Sequence, residues 1–234
     1  MIADRSPAVL QLDQVWLPLP DQHAGGITVD LALDSGDLVL IEPGDDQHER
    51  ALADVACGLL APARGAVRFL DRAWPELPPD QANALRGRIG RLVRRGAWLP
   101  YLSLLDNVLL AQLHHTRRPY SELCAEAARW AAWFGLLGVP MGHPDETAPA
   151  VLLRAACIRA FLGRPLLIVI ESAGDELRNG LIAPLINAMR TARDRGAGVL
   201  WFCRDHDLLE DPTLPATRRL RFRSDTLVPL EGPG

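Results

Sequence analysis

The sequence contains no lysine. All 25 of its basic residues are arginine, against 29 acidic residues, and the formal net charge is −4. A net negative charge argues against a general nucleic-acid binder, which usually carries an excess of basic residues. Without lysine, the chain cannot supply the side chain with which a phosphate-binding loop reaches a terminal phosphate.

Cysteine pairs and long apolar runs are also missing. The four cysteines lie far apart and form no Cys-x-x-Cys pair, so a reduced, intracellular chain is expected. The first residues lack a basic stretch followed by an apolar segment, and we expect no secretory signal. No apolar run approaches the roughly 20 residues that span a bilayer. We therefore expect a soluble chain, which can still dock on a membrane protein.

The patterns that are present predict an α/β fold with a mostly parallel sheet. Apolar residues alternate or run continuously in "AVLQLDQVWLPLP" and "ITVDLALDSGDLVLIEP", which indicates strands. "RPLLIVIES" and "AGVLWFC" are short continuous apolar runs, typical of strands buried on both faces. Because such strands alternate with helical patterns, the sheet should be mostly parallel. We expect "LVLI" and "LLIVI" to be buried neighbours or near-neighbours.

The helical patterns are concentrated in the middle of the chain. We predict a single domain whose core covers about residues 8–79 and 164–215, with an inserted helical subdomain at about residues 80–163. In the tail, "RRLRFR" at 218–223 alternates like an edge strand protected by charges.

Residues 38–62, "LVLIEPGDDQHERALADVACGLLAP", have the outline of a phosphate-binding loop. A short apolar strand leads through a tight turn at Pro43-Gly44 into a helix. Acidic residues and a histidine stand where such a loop offers glycines, a lysine and a hydroxyl. A carboxylate about 5 Å from a phosphate charge costs about 3 kcal/mol at an effective dielectric constant of about 20. That cost corresponds to a loss of affinity of about 100-fold.

Together these segments resemble the nucleotide-binding subunit of an ABC transporter, over roughly residues 8–210. The most specific part is "RAACIRAFLGRPLLIVIESAGDEL", a helix followed by a proline, an apolar strand and an acidic end. "CGLLAPARGAVRFLDR" resembles the segment after the family's phosphate loop, and "GAWLPYLSLLDNVLL" the segment after its Q-loop. The resemblance implies a P-loop NTPase fold. A finer similarity points to the ATPase subunits of lipid-transporting systems.

Carried over onto this sequence, the family's phosphate loop has lost its chemistry. Glu42, Asp45 and Gln47 stand at its three glycine positions, around a retained Gly44. The resemblance places His48 at the position of the lysine and Glu49 at the position of the hydroxyl that holds Mg²⁺. The loop therefore resembles the remnant of a nucleotide site.

The other motifs of the family change in the same direction. The resemblance places Glu171 at the Walker B aspartate, Ser172 at the catalytic glutamate and Arg204 at the switch histidine. The signature motif falls on "TAPAV", residues 147–151, and the D-loop aspartate on Arg178. No group is then left to bind a γ-phosphate or to orient water. The sequence predicts a non-catalytic protein without the ATP and Mg²⁺ that the family uses.

Two sets of polar residues have alternative interpretations. A metal site is one interpretation of Asp45, Asp46, His48 and Glu49. We favour the other, a solvated acidic helix start that suits the helix dipole, and therefore predict no metal site. For the arginines at 91, 94 and 95, the two interpretations are an interaction patch and part of a solvated loop.

The resemblance also implies partners. We expect a cytoplasmic chain, peripheral at the inner face of the membrane, that contacts an ABC transporter permease through a groove between core and subdomain. The residues predicted to bind it are aromatic or apolar anchors with arginine at the rim: Arg94, Arg95, Trp98, Leu99 and Tyr101. Alternatively, Trp98 and Leu99 only cap the subdomain core.

Three hypotheses about function remain open. The first hypothesis is a structural or regulatory subunit of a transporter, paired with an intact ATPase subunit or with a second copy of itself. The second is a divergent ATP-binding subunit that hydrolyses ATP only with an intact partner. The third hypothesis is a soluble regulator that reuses the fold. None of the three involves nucleic acid.

Overall fold

The structure is a computed structural model that describes residues 8–19, 25–93, 96–172, 177 and 180–230. These ranges contain ten strands: β1 (Ala8–Pro18), β2 (Gly26–Asp34), β3 (Leu38–Glu42), β4 (Arg64–Phe69), β5 (Arg72–Ala73), β6 (Ile89–Leu92), β7 (Leu167–Ile170), β8 (Gly198–Phe202), β9 (Arg218–Arg223) and β10 (Thr226–Pro229). They also contain seven α-helices: α1 (Asp46–Ala56), α2 (Pro79–Arg86), α3 (Leu104–His115), α4 (Tyr120–Trp133), α5 (Pro149–Phe161), α6 (Ile182–Arg193) and α7 (His206–Glu210).

All ten strands belong to one sheet, in the order β5-β4-β1-β2-β10-β9-β3-β8-β7-β6. The half from β9 to β6 is parallel, whereas β5, β4, β1 and β2 pair antiparallel. The predicted α/β fold with a mostly parallel sheet is therefore confirmed. Among the helices of the described ranges, none combines the length and the apolar character that crossing a membrane requires.

The two apolar strands that the sequence singled out are buried near-neighbours. β3 and β7 both pair with β8, which lies between them. Leu38 and Leu40 of β3 face one apolar core, and Val39 and Ile41 face the other. Alternate residues of a strand point to opposite faces, so both cores require apolar residues and the run becomes continuous.

Two strands differ from the prediction. β6 lies within residues 80–163, where the sequence indicated helices; its four residues, "IGRL", include a glycine and an arginine and carry little strand pattern. Gly90 is required there, because a Cβ atom would lie 1.8 Å from the carbonyl oxygen of Ala160. The division into a core and a subdomain at the predicted boundaries remains a prediction, although α3, α4 and α5 do pack against one another.

The prediction that β9 is an edge strand is wrong. β9 lies inside the sheet, between β10 and β3. Its arginines are held by neighbouring groups instead of protecting an edge. Arg219 donates to the carbonyl oxygens of Leu209 and Asp211, and Nε of Arg221 lies 3.2 Å from Oε2 of Glu42.

Candidate functional site

The turn between β3 and α1 is closed by a side chain of the turn itself. Asp45 has an extended backbone (φ −152°, ψ −173°) and caps α1. Its Oδ1 accepts hydrogen bonds of 2.9 Å from the backbone N–H groups of Gln47 and His48. Such N–H groups at the start of a helix form the anion site of a phosphate loop. Here the carboxylate of the chain already occupies two of them.

His48, at the position that the resemblance assigns to the lysine, is buried with an exposed fraction of 5%. Its Nδ1 lies 2.6 Å from Oδ1 of Asp45, and its ring meets that of Phe222 edge-on, with 5.0 Å between centroids. Burial raises the pKa of Asp45, but hydrogen bonds from His48 and Gln47 outweigh it and leave that pKa below its usual value. The imidazole therefore contacts Asp45 and Phe222 of β9. The prediction that His48 and Glu49 belong to a solvated helix start is wrong, because both side chains are buried.

Glu49 joins two of the other predicted site residues. Its side chain is buried, and Oε1 accepts a 2.6 Å hydrogen bond from the backbone N–H of Ser172. Its Oε2 lies 2.9 Å from Nη2 of Arg204, which also lies 2.8 Å from Oδ1 of Asp46. The Ser172 hydroxyl donates to the carbonyl oxygen of Phe202 at 3.3 Å. The structure therefore brings the predicted positions Glu49, Ser172 and Arg204 into direct contact.

Glu171 belongs to a second buried network, centred on Arg91 of β6. Nε of Arg91 lies 2.6 Å from Oε1 of Glu171, and Nη1 lies 2.6 Å from Oδ1 of Asp54 on α1. Beside them, burial raises the pKa of the Cys57 thiol to about 12, partly opposed by the charge of Arg91. Arg91 does not lie in a solvated loop, because it belongs to β6 and its side chain is only 17% exposed. The alternative that it belongs to an interaction patch stays a prediction. No signal in the sequence indicates the burial of Arg91, because the four residues of β6 carry little strand pattern.

The two networks determine how an anion or a metal ion could be bound at this end of the sheet. Arg204 and Arg91 neutralise Glu49 and Glu171, the two buried carboxylates at the ends of α1 and β7. A phosphate would have to displace Asp45 from two N–H groups and approach further carboxylates. In the described part of the chain, no group of three or more His, Cys, Asp or Glu side chains is arranged to hold a metal ion.

The residues predicted to bind a permease differ in whether the structure describes them and in how far they are buried. Arg94 and Arg95 lie outside the described residues, as does Arg178. Trp98 is half-buried against the core, with the guanidinium of Arg159 4.4 Å from its ring centroid.

The next two anchors differ in exposure. Leu99 is fixed through its backbone, because its N–H donates to Oδ1 of Asn107 at 2.8 Å and its carbonyl oxygen accepts from Nδ2 at 3.0 Å. Tyr101, in contrast, is 73% exposed. Among the described members of the predicted set, Trp98 and Leu99 are therefore half-buried and Tyr101 alone is largely exposed.

A cavity of about 490 Å³ lies where the groove between core and subdomain was predicted. Leu99 lines it together with Leu59, which follows α1, and Leu110, on α3. Leu59 is 62% and Leu110 40% exposed, so the groove presents apolar side chains to solvent. The sequence analysis missed both leucines, because a single leucine after a helix or on a helix carries no signal of exposure.

Comparisons with known proteins agree with this architecture. The octopine permease ATP-binding protein P of Rhizobium meliloti is 25% identical over 78% of this chain and 74% of its own length. The lipoprotein-releasing system ATP-binding protein LolD of Idiomarina loihiensis is 23% identical over 77% of this chain and 78% of its own length. The macrolide export ATP-binding/permease protein MacB of Chromobacterium violaceum is 29% identical over 72% of this chain, which matches 27% of that protein. No protein-family model matches the chain.

Solved structures show the same fold. The ATP-binding subunit of an ABC transporter superposes with a TM-score of 0.79 at 17% identity, covering 95% of this chain and 90% of the other. A bacterial ABC transporter cassette, solved as a dimer, gives a TM-score of 0.79 at 18% identity, covering 95% and 99%. The chain therefore has the ABC ATPase fold, and its similarity in sequence is to ATP-binding proteins.

Proposed function

We propose that this chain is a non-catalytic, ABC-ATPase-like component of an ABC transporter, with a structural or regulatory role. The observation that carries the proposal is the environment of Glu49. Its buried carboxylate stands where the resemblance expects the hydroxyl that holds Mg²⁺, and it is bonded to the backbone of Ser172 and to Arg204. That carboxylate completes an internal network in place of a metal–phosphate site.

The start of α1 supports the same conclusion. Mg-ATP fits poorly against residues that already place an anion there, because the carboxylate of Asp45 accepts from the N–H groups of Gln47 and His48. Each carboxylate close to a phosphate costs about 3 kcal/mol at an effective dielectric constant of about 20. Asp45, Asp46 and Glu49 all belong to this short segment. The proposal therefore includes neither ATP nor Mg²⁺ as a cofactor.

The networks also explain how the fold could remain stable without nucleotide binding. Arg204 and Glu49 connect the first turn of α1 with the segments that follow β7 and β8. Arg91 connects α1 with β6 and with Glu171. These contacts hold together the ends of elements at the position that the resemblance gives to the nucleotide site. A protein selected for its surface needs the fold and not the reaction.

A surface suited to a partner is the groove lined by Leu59, Leu99 and Leu110. Apolar side chains that line a cavity of about 490 Å³ and remain exposed match the centre of a protein interface. We infer that a cytoplasmic segment of a permease occupies it. An intact ATPase subunit or a second copy of this chain would then complete a cassette pair.

A second candidate function is favoured by the comparisons. The relatives named above are ATP-binding proteins by name. On this hypothesis the chain is a divergent ATP-binding subunit whose site works only with an intact partner.

The two functions predict different behaviour in an ATPase assay on the chain alone and on the chain purified with its membrane partners. We expect phosphate release only when an intact ATPase subunit is present, at an unchanged rate when this chain carries Arg204→Gln. Phosphate release by the chain alone would overturn the proposal. A rate that falls with Arg204→Gln in a correctly assembled complex would favour the divergent ATPase.

A further inference from the structure

A second cavity, of about 530 Å³, lies beside α4, away from the loop that starts α1. Its volume is within the range of about 300–1,000 Å³ that is usual for small-molecule sites. Six of the side chains that line it are arginines or tryptophans: Arg118, Arg129, Trp130, Trp133, Arg164 and Arg195. The four arginines come from four separate segments, before α4, on α4, before β7 and before β8, so the fold, and not one charged run, brings them together.

The charge of the cavity is opposite to that of the chain. Glu126 is the one carboxylate among the described residues that line it, and it is buried. Its Oε2 lies 2.6 Å from Nη1 of Arg118, and its Oε1 accepts a 3.0 Å hydrogen bond from the N–H of Gly163. Both of its oxygens are therefore already bonded. Four guanidinium groups and one carboxylate leave +3 on a protein whose net charge is −4.

The remaining arginines are available to a ligand. Within the described ranges, Arg164 and Arg195 form no ion pair, and Arg129 donates only to the carbonyl oxygen of Ala125, at 3.3 Å. Arg164 has a left-handed backbone (φ +56°) directly after Gly163 (φ +82°). Residues with a side chain seldom adopt that conformation, and such positions cluster at functional sites. A Cβ atom at Gly163 would lie 2.3 Å from the side-chain amide of Gln112, and the positive φ of Gly163 also favours glycine.

Two indoles supply an apolar wall beside these charges. Trp130 is stacked on Phe134 with 5.8 Å between centroids, and Trp133 meets Trp130 edge-on at the same distance. Trp133 is held by a 3.0 Å hydrogen bond from Nε1 to the carbonyl oxygen of Pro184, and 45% of it is exposed. A rigid aromatic surface next to free guanidinium groups suits a ligand that is anionic at one end and apolar at the other.

We propose that this cavity binds an organic phosphate ester. Arg129, Arg164 and Arg195 receive the phosphate through charge-assisted hydrogen bonds, for which planar guanidinium groups are well suited. The indoles of Trp130 and Trp133 contact the apolar part of the ester. A soluble phosphate monoester and a phospholipid headgroup share this chemistry. The site is independent of the loop at the start of α1, so it does not rest on the proposed function.

The experiment is a titration followed by tryptophan fluorescence and by calorimetry. The probes are inorganic phosphate, phenyl phosphate and vesicles of phosphatidylglycerol. The variant is Arg164→Gln/Arg195→Gln, and the matched control is Arg223→Gln, which removes an exposed arginine outside the cavity. Circular dichroism checks that all three proteins are folded.

We expect phenyl phosphate to bind the unmodified protein. The affinity should fall about tenfold for each arginine removed, hence about 100-fold in the double variant, and should be unchanged in the control. Binding that is confined to vesicles and lost in the double variant supports the proposal with a lipid as the source. Two outcomes overturn it: no binding of phenyl phosphate or vesicles by the unmodified protein, or equal affinities in the double variant and the control. Equal affinities for phenyl phosphate and inorganic phosphate overturn the role given to the indoles.

Discussion

Glu49 and Ser172 are 123 positions apart in the sequence, and the backbone N–H of Ser172 donates a 2.6 Å hydrogen bond to Oε1 of Glu49. This bond ties the first turn of α1 to the segment that follows β7. Arg204, which follows β8, binds the other carboxylate oxygen. Glu49 thus connects the three positions that the resemblance associates with metal, water and phosphate.

Replacing Glu49 should destabilise the protein. Glu49→Ala removes a buried acceptor of two hydrogen bonds, one of them from a charged group, and we expect a loss of about 2–3 kcal/mol in the free energy of unfolding. Urea denaturation at neutral pH measures the loss. The control is Asp46→Ala, because Asp46 also pairs with Arg204 but its side chain is 66% exposed; a loss below about 1 kcal/mol is expected there. Equal losses would contradict the role given to Glu49.

Arg91 should matter more than its position in a short strand suggests. Arg91→Met keeps much of the volume but removes the guanidinium that lies 2.6 Å from both Asp54 and the largely buried Glu171. Removing one member of a buried ion pair costs about 3 kcal/mol. Arg50→Met is the control, since Arg50 is 82% exposed and lies 3.9 Å from Asp54. If both variants unfold at the same urea concentration, Arg91 does not hold α1 to the sheet.

The central fold was predictable because burial on both faces of a parallel strand leaves a continuous apolar run. β3 and β7 carry such runs, and the structure buries both. β6 was missed because a glycine and an arginine occupy two of its four positions. β9 was taken for an edge because its arginines alternate, and sequence does not show that carbonyl oxygens and Glu42 lie within their reach.

The candidate site was predictable in its residue types and not in its contacts. A motif comparison reveals that an acid stands at Glu49 and an arginine at Arg204. Their pairing depends on the tertiary fold, which brings together the ends of distant elements. The buried role of Arg91 was likewise hidden, because its partners Asp54 and Glu171 lie on two other elements.

Asp45 should make stability depend on pH. Its pKa in the folded protein is below the usual value, so its carboxylate stabilises the folded state above the pKa of the unfolded chain, and this contribution is lost as the pH falls through the folded value. Asp45→Asn retains a helix cap and removes the titration. Urea denaturation from about pH 7 to about pH 3 should show the difference between the two proteins shrinking with acidity. A difference that is constant across this range would contradict the assignment.

The groove should be needed for binding to membrane partners. Leu59→Asp/Leu110→Asp places two charges on exposed apolar positions of the groove, so we expect the protein to fold and to lose at least about tenfold of its co-purification with permease subunits. Leu137→Asp is the matched control, because Leu137 is fully exposed and lies outside the groove. Quantitative mass spectrometry of the complexes isolated from membranes gives the ratio. Recovery equal to that of the control would exclude this groove as the docking site.

The central claim is that the residues at the start of α1 no longer accept a nucleotide. Calorimetric titration of the purified chain with Mg-ATP tests it most directly. Because Asp45 occupies the N–H groups of Gln47 and His48, and Glu49 is bonded to Ser172 and Arg204, we expect no saturable binding up to about 1 mM. Binding with a dissociation constant in the micromolar range that is lost when Mg²⁺ is removed would contradict the account.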